Sequence, residues 1–480
     1  MSTLLLHGRM ESLPMRIGKL SVWLAALACV LTLNGCATYS SSFTTIEHQL
    51  AGQQYDDALK TIEEKSKSKT ERVLYLLNKG MVQRMKRDFT ASNQSLEAAK
   101  QEMEQLYASS ISENALSFLV NDATVSYPGD EYEQVLVHLY MALNYLELGE
   151  LDEARVEALQ VDIKLRAIGE TIPESKFTED ALSRYLTGMI YEELGEWSDA
   201  MIAYRKAYEA YQKYQNNFSI AMPTMLQLDL LRLAQRQGLT EELARYQQEF
   251  GTIPAQEKSA VAEPEGELVF ILNNGLAPIK REKIIGTWAL PPSVVVETAK
   301  PHEPVTPAPP VLINIALPYY ESRPNKVLSA RISVSGKQAS SQVMEDIDAI
   351  ARASLDSRMP AITARSIARA LAKGVIQHSV DRAGNNRDKE TALLGSFIVR
   401  VAAVVTERAD TRSWLTLPAN ILMGRLSLSP GSYDVSVDLL GADDQVIATQ
   451  VFPQVLIRNA RKTYLTQHWV PINPTTRRRK

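Results

Sequence analysis

The chain has 480 residues, and its 52 lysines and arginines nearly balance 56 aspartates and glutamates, for a formal net charge of −4. This balance excludes the basic excess typical of nucleic-acid-binding proteins, so no nucleic-acid partner is expected. Hydrophobic residues make up 45% of the chain and charged residues 22%, as in an ordinary globular protein, and the length allows two or three domains.

The first 35 residues have the pattern of a secretory signal peptide. Arg16 and Lys19 precede an apolar run, Leu20–Leu33, which is too short to cross the roughly 30 Å of hydrocarbon in a bilayer. The run leads into Leu33-Asn34-Gly35-Cys36, which resembles the lipobox of bacterial lipoproteins, where the cysteine becomes the lipidated first residue of the mature chain. The alternative is an ordinary signal peptide followed by a chance cysteine.

The cysteine content is consistent with the lipobox. Cys29 lies in the segment that would be removed and Cys36 would be acylated, so the mature chain has no thiol for catalysis, a metal site or a disulfide. In bacterial lipoproteins an aspartate after the lipidated cysteine favours the inner membrane. The resemblance therefore implies that Ala37 directs the protein to the outer membrane, on its periplasmic side. Several acyl chains would anchor it stably, with residues 36–44 as a lipidated tether.

Residues 45–252 are predicted to form a helical domain, because apolar residues recur there at three- and four-residue spacing. In Tyr140–Ala154 and Tyr185–Ala200, aromatic residues are followed by a helix-ending glycine and then by a small residue. This pattern resembles the tetratricopeptide repeat, a helix–turn–helix unit of about 34 residues. The resemblance implies stacked helix pairs that bind peptides or protein surfaces in a groove. A generic helical bundle is the alternative, since the copies are irregularly spaced.

Tyrosines at helical spacing are candidates for lining such a groove, because aromatic side chains often dominate the binding energy of an interface. The candidate partner-binding tyrosines are Tyr140, Tyr145, Tyr185 and Tyr191. Packing in the core, with the hydroxyl at its rim, is the commoner role of such tyrosines.

The second half of the chain is predicted to be a separate domain. Residues 253–310 read as a linker that contains one buried strand, Leu268–Leu272, and a proline-rich segment, Pro301–Pro310. Residues 311–472 predict an α+β domain with a mostly antiparallel sheet, and residues 473–480 form a basic tail. Predicted helices cover 343–354, a segment that begins near Pro360, and 389–407. The overall fold class is therefore multidomain, with an all-α helical array followed by an α+β domain.

Two motifs, Ser354–Pro360 and Trp414–Pro418, together with this architecture, resemble a bacterial family of uncharacterised lipoproteins. The resemblance implies no activity. The histidines lack the spacing of metal ligands, and the phosphate-binding and nucleophile motifs do not occur in the sequence, so no metal site or cofactor is expected.

Charged side chains of the second half offer two weaker candidate sites. Arg358, Arg365 and Arg369 recur at helical spacing and are candidates for binding phosphate or an anionic wall polymer, although a solvated face is the commoner role. Asp356, Arg358, Asp410 and Arg412 are candidates for an ionic cluster at a catalytic cleft, although helix caps and loop-fixing pairs are commoner.

The leading hypothesis is a non-enzymatic, lipid-anchored periplasmic scaffold. It would bind periplasmic or outer-membrane proteins through its helical groove, in assembly or maintenance of the envelope, with peptidoglycan as a further candidate partner. Acyl chains on Cys36 would attach it to the outer membrane. The alternatives are a cell-wall or glycan hydrolase, or a polysaccharide-binding module, in the C-terminal domain.

Overall fold

The computed structural model describes residues 43–66, 68–112, 125–171, 175, 177–251, 266–289, 311–384 and 408–471. Five sequence predictions lie outside these residues: the signal peptide, the lipidation site Cys36, the proline-rich segment, the helix at 389–407 and the basic tail.

The N-terminal half is helical, as predicted. Its helices are α1 (Thr44–Ala51), α2 (Tyr55–Glu64), α3 (Arg72–Met85), α4 (Phe89–Ser112), α5 (Glu131–Leu148), α6 (Leu151–Thr171), α7 (Ala181–Glu193), α8 (Trp197–Phe218), α9 (Thr224–Arg236) and α10 (Thr240–Phe250). Helices α3 and α4, α5 and α6, α7 and α8, and α9 and α10 pack as consecutive pairs. The short loops within the pairs make the two helices antiparallel neighbours. We call this half the helical array.

Glycine and acidic residues set the ends of these helices. Gly149 and Gly195 follow α5 and the last turn of α7 with φ of 78° and 80°, a left-handed conformation that glycine adopts without steric cost. At the other end of α5, Asp130 and Glu133 form a reciprocal capping box. The Asp180 side chain accepts a 2.7 Å hydrogen bond from the Ser183 backbone and caps α7. Local sequence therefore determines where each pair turns.

Close approach within the pair α7–α8 depends on Gly188. A Cβ atom at this position would lie 2.3 Å from ring carbons of Tyr204, a fully buried side chain of α8. The two backbones can pack at this distance only because residue 188 has no side chain.

We expect Gly188→Ala to destabilise the array by about 1–3 kcal/mol, because the added methyl group forces Tyr204 out of its packed position. Urea unfolding followed by circular dichroism measures the effect. The matched control is Gly169→Ala in α6, where an added Cβ meets no atom within 4 Å. Helix propensity predicts that this control is neutral or stabilised by up to about 1 kcal/mol. Equal effects of the two substitutions would contradict the packing argument.

The C-terminal half contains the strands β1 (Gly266–Asn274), β2 (Ile279–Ala289), β3 (Val311–Glu321), β4 (Ser329–Val334), β5 (Lys337–Ser340), β6 (Gln342–Asp346), β7 (Asn420–Leu428), β8 (Gly431–Leu440), β9 (Val446–Ile457) and β10 (Lys462–Trp469), and the helix α11 (Ile347–Gly384). One sheet has the order β10-β1-β7-β6, a second has the order β5-β4-β8-β9, and β2 pairs with β3. The pairing of β1 with β10 is parallel and the other recorded pairings are antiparallel, which confirms a mostly antiparallel domain.

The two four-stranded sheets pack face to face. Alternate residues of β1 point into the core between the sheets, and the phenyl rings of Phe270 and Phe452 lie 6.1 Å apart there. The intervening residues Val269 and Ile271 belong instead to the core that contains the helices. The sheet β10-β1-β7-β6 is therefore a middle layer, with the helical array on one face and the second sheet on the other.

The structure corrects the predicted domain boundary at residue 311. β1 lies in the predicted linker, but it pairs with both β7 and β10, with Phe270 opposite Gly424 and Leu465. Every residue of β1 is buried because the strand is covered on both faces. The sheet of the C-terminal half therefore includes β1, which the sequence analysis assigned to the linker.

The predicted helix boundaries in this half also need correction. Residues 343–346, predicted as helical, belong to β6 and pair with β7. A new helix does not begin near Pro360, because α11 continues through it. Pro360 removes one backbone donor, yet the helix continues because Met359 and Ile362 on either side pack against the core shared with the array.

Candidate functional site: the inner face of the helical array

The first helices of successive pairs, α3, α5, α7 and α9, each direct a buried polar side chain toward the C-terminal half. These side chains are Asn78, Tyr140, Tyr185 and Asp229, none of them more than 2% exposed. We call the surface that these four helices form the inner face. It is occupied by β1, β7 and the connector at residues 408–419 of the same chain.

Arg425 is the central contact on the inner face. It lies on β7 and donates to the carboxylate of Glu267 on β1 through Nε and Nη2, at 2.7 and 3.0 Å. Its Nη1 donates to the Tyr185 hydroxyl at 2.6 Å and also to Asp229. Tyr185 in turn donates to Asp229 at 2.7 Å. One guanidinium therefore joins α7 and α9 of the array to two strands of the middle sheet.

The charged groups of this cluster are paired. Arg425 bonds Asp229 and Glu267, all three of them buried, and Arg232, 17% exposed, also bonds Asp229. Burial alone would raise the pKa of Asp229, but Arg425 and Arg232 outweigh burial and lower that pKa to about 2. Burial opposes the charge of Arg425, but Asp229 and Glu267 outweigh it and raise the pKa of the guanidinium. The pairing thus satisfies charges that would be costly to bury alone.

A second ionic cluster surrounds Asp130, at the start of α5. Asp130 accepts from Lys280 of β2 at 2.8 Å, from Arg358 of α11 at 3.0 Å and from the Tyr320 hydroxyl of β3 at 3.1 Å. Burial raises the pKa of Asp130, but the two cations outweigh it and hold the pKa below its ordinary value. Four elements from both halves of the chain meet at this carboxylate.

Glu133, one turn further along α5, holds the connector. It accepts a 2.7 Å hydrogen bond from the backbone N–H of Trp414, a 2.7 Å bond from the Tyr127 hydroxyl and a 3.1 Å bond from the Asp130 backbone. Burial, with a further contribution from Asp130, raises the pKa of Glu133 to about 7, against the opposing effect of these donors.

The connector lies across the inner face and is anchored by side chains of α3 and α5. Trp414 is fully buried, its ring lies edge-on to Tyr140 at 6.0 Å, and its indole N–H donates to Thr416 at 2.9 Å. The backbone and hydroxyl of Thr416 both donate to Asn78, at 3.2 and 2.9 Å. The connector is therefore held rigidly, because it is packed into the array.

The structure corrects the prediction that Tyr140 and Tyr185 are available to a partner. Both side chains are fully buried, and both hydroxyls bond the C-terminal half: Tyr140 donates to Asn273 at 3.0 Å, and Tyr185 contacts Arg425. A partner cannot reach either ring because the middle sheet already covers it.

The other two predicted tyrosines are partly buried. Tyr145 and Tyr191 both pack against the core of the array, and burial raises the pKa of each hydroxyl. They lie at the edge of the packed region and act mainly as packing residues, the commoner role for tyrosines at this spacing.

The predicted arginine stripe is not an open basic surface. Arg358 bonds Asp130 and lies 3.4 Å from Glu131, and Arg369 is buried. Arg365 is half-buried and also has an interaction partner. Because Asp130 and Glu131 pair with Arg358, that arginine is engaged within the chain and is not presented to an anionic polymer.

The predicted catalytic cluster is divided between different contacts. Arg412 bonds Asp410 at 2.7 Å and donates to the backbone oxygens of Thr70 and Val125, so this pair fixes the connector to the array. Arg358 belongs to the Asp130 cluster, and Asp356 is exposed on α11. The four residues are therefore one loop-fixing pair, one member of the Asp130 cluster and one surface charge.

The residues that hold the inner face together were not selected by sequence reasoning. Arg425 and Asp229 each interrupt an apolar stretch, which is the sequence signal for a buried charge. The partner of each charge lies 150 or more positions away in the sequence, so a local sequence pattern cannot identify it.

The described residues were also searched for cavities, metal-ligand clusters and membrane-spanning helices. A cavity of about 30 Å³ at the start of the array has room for a single water molecule. It is lined by Phe43, Ile46, Ile62, Lys65, Glu71, Tyr75 and Asn78. Within the described ranges, no three His, Cys, Asp or Glu side chains come together as metal ligands. Every helix of the described residues is too short or too polar to span a bilayer.

The sequence matches no protein-family model and has no significant match among curated proteins. Among solved structures, the crystal structure of MamA protein is 14% identical, covering 45% of this chain and 97% of that one, with a TM-score of 0.28. A second MamA structure, AMB-1, is 13% identical, covering 44% and 92%, with a TM-score of 0.26.

A Rap conjugation gene regulator of the plasmid pLS20, in complex with the Phr* peptide, is 13% identical and covers 46% of this chain, with a TM-score of 0.27. This chain spans about half of that regulator, 55% of its length. At these TM-scores the superpositions do not establish the fold, which rests on the helix pairs themselves.

Proposed function

We propose that the protein is a non-enzymatic scaffold of the bacterial envelope, anchored by acyl chains at Cys36 to the periplasmic side of the outer membrane. Its helical array and C-terminal half form one rigid body, and periplasmic or outer-membrane proteins bind the outward-facing surfaces of that body. The observation that supports the proposal is the occupied inner face. A folded part of the same chain lies where a repeat array would bind a partner, so the outward-facing surfaces are the ones left for other proteins.

Charges paired across the inner face support the proposal that the two halves form one rigid body. Arg425 and Asp130 each join helices to strands through several hydrogen bonds. Separating the halves would break these hydrogen bonds together and would expose the apolar core that the array shares with the middle sheet. The same pairing supports a non-enzymatic role, because Arg358 and Arg412 hold the halves together.

The outward face of α6 is the part of the array best suited to a protein partner. Val156, Leu159 and Ile163 are 53, 41 and 58% exposed and recur on one side of the helix. The opposite side, which includes Ala154, Ala158 and Val161, is buried. An apolar stripe of this kind on an otherwise packed helix is typical of an interaction surface.

In-cell photo-crosslinking tests the proposal. With a photoreactive residue at Ile163 of the full-length protein, we expect an adduct with another envelope protein, and the same adduct from position 156. Leu159→Asp should abolish both adducts, whereas Val451→Asp, at a similarly exposed site on β9, should leave them unchanged.

The anchored state is tested in parallel with Cys36→Ser, which removes the acylated side chain. We expect mass spectrometry to find acyl groups on the native protein and none on the variant, and we expect the variant to leave the membrane fraction. A native protein without acyl groups would refute the anchor. Repeated failure to form adducts from the outward positions would refute the scaffold.

A further inference from the structure

Strands β2 and β3 form an arm that pairs with neither four-stranded sheet. Their register runs from Ile279 opposite Glu321 at the base to Ala289 opposite Val311 at the far end. At the base, Lys280 and Tyr320 are buried in the Asp130 cluster. The arm is therefore fixed to the body at one end and extends from it along α11, on which β3 packs.

The far part of the arm exposes large apolar side chains. Ile284 is 62% and Trp288 is 70% exposed, and both lie on the same face of β2 because they are four positions apart. On β3, Ile313 and Ile315 are buried. One face of the arm is thus packed, while the other presents a tryptophan and an isoleucine to the surroundings.

The base of the arm lies beside the N-terminal end of the described chain. Arg323, two residues after β3, places its guanidinium 6.0 Å from the Phe43 ring and 3.7 Å from Glu47. Cys36 precedes Phe43 by seven residues. A chain of that length reaches at most about 25 Å, so acyl chains at Cys36 would keep the membrane within that distance of Phe43.

The arm and the tether have similar reach. From Ile279 to Trp288 the strand advances nine residues, or about 30 Å at roughly 3.4 Å per residue. Both start from the same part of the body. A membrane held by the tether is consequently within the range of the arm's far end.

We propose that the exposed face of the arm, Ile284 with Trp288, inserts into the interface of the membrane to which Cys36 is anchored. The inference rests on the lipid anchor of the proposed function. Tryptophan favours the headgroup region because its ring is apolar while its N–H can still hydrogen-bond, and isoleucine favours the acyl region beneath it. The tether makes insertion effectively intramolecular, so a small apolar face is sufficient.

Depth-dependent fluorescence quenching tests this contact. Acylation of Cys36 would leave the mature chain without a free thiol, so Trp288→Cys can carry a single environment-sensitive dye. The lipidated protein is reconstituted into vesicles of phosphatidylethanolamine and phosphatidylglycerol, with or without brominated acyl chains. We expect bromination to reduce the dye emission at position 288 by about twofold or more. The matched control is Val451→Cys on β9, which is 57% exposed and should show no quenching.

A second variant and a mass measurement separate the outcomes. Ile284→Asp, in the protein labelled at 288, should remove most of the quenching, and the exposure of Ile284 means that the fold is retained. Acylated protein with no quenching at 288, or with equal quenching at 288 and 451, would overturn the arm contact while leaving the anchor intact.

If the native protein carries no acyl groups, the lipid anchor is refuted. The membrane contact of the arm is then tested with the Cys36→Ser protein and the same vesicles. Quenching at position 288 would then support membrane contact by the arm alone, and its absence would overturn it. A blue shift of the dye in whole envelope fractions, without quenching in pure vesicles, would assign the arm to a protein partner and would also overturn the inference.

Discussion

Replacing Arg425 by alanine is expected to lower the free energy of unfolding by about 3–5 kcal/mol, because it leaves buried carboxylates without their cation. In the described part of the chain, Glu267 has no other cation within 4 Å, and Asp229 retains only Arg232. Tyr185 also loses the donor that links its hydroxyl to the sheet. Urea unfolding followed by far-ultraviolet circular dichroism measures the loss as a lower midpoint.

The matched control is Arg331→Ala, which removes an arginine from a partly exposed pair with Asp438 on the outer sheet. Solvent screens that pair, so the control should cost no more than about 1 kcal/mol. A triple variant, Arg425→Met with Asp229→Asn and Glu267→Gln, should recover much of the lost stability because no carboxylate then stays unpaired. If Arg425→Ala and Arg331→Ala unfold at the same urea concentration, Arg425 does not hold the two halves together.

The helical array was predictable because its determinants are local. Gly149 and Gly195 end helices where the sequence places them, and Ala154 and Ala200 are fully buried where helix pairs approach. The buried strand predicted at Leu268–Leu272 lies within β1 for the same reason, since its apolar run is local. Each of these features depends on residues within a few positions of one another.

The role of the inner face was not predictable from periodicity. An apolar stripe that includes Tyr140 and Tyr185 shows that this side of the array is covered, but it does not show by what. A partner protein and the chain's own sheet would impose the same burial on both rings. The covering strands, β1 and β7, lie more than 80 positions further along the chain, and their pairing depends on the whole sheet.

The prediction of a domain boundary at residue 311 was wrong for a related reason. The residues before β1 have the composition of a linker, and β1 is followed at some distance by a proline-rich segment. Nothing local distinguishes an isolated strand from the second strand of a sheet. Its place is set by β10, whose Leu465 lies opposite Phe270 across 195 positions of sequence. Such long-range pairing is invisible to a local pattern.

Replacing Trp414 by alanine is expected to cost about 3–5 kcal/mol, comparable to the loss of Arg425, because it empties a large volume between the connector and the array. The indole is fully buried, packs edge-on against Tyr140 and donates to Thr416, which in turn bonds Asn78. The substitution removes apolar contacts and also the donor that orients this chain of hydrogen bonds. Urea unfolding followed by circular dichroism avoids dependence on the changed tryptophan fluorescence.

Trp288→Ala is the matched control, since it removes the same side chain from the exposed face of the arm. Its cost should stay within about 0.5 kcal/mol, as for other exposed positions. The stability loss of Trp414→Phe should fall between those of Trp414→Ala and Trp288→Ala. The phenyl ring fills most of the indole volume but cannot donate to Thr416. Equal stability of Trp414→Ala and Trp288→Ala would show that the connector is held by the hydrogen bonds of Glu133, Asn78 and Arg412. In that case the packing of the indole against Tyr140 would contribute little to joining the halves.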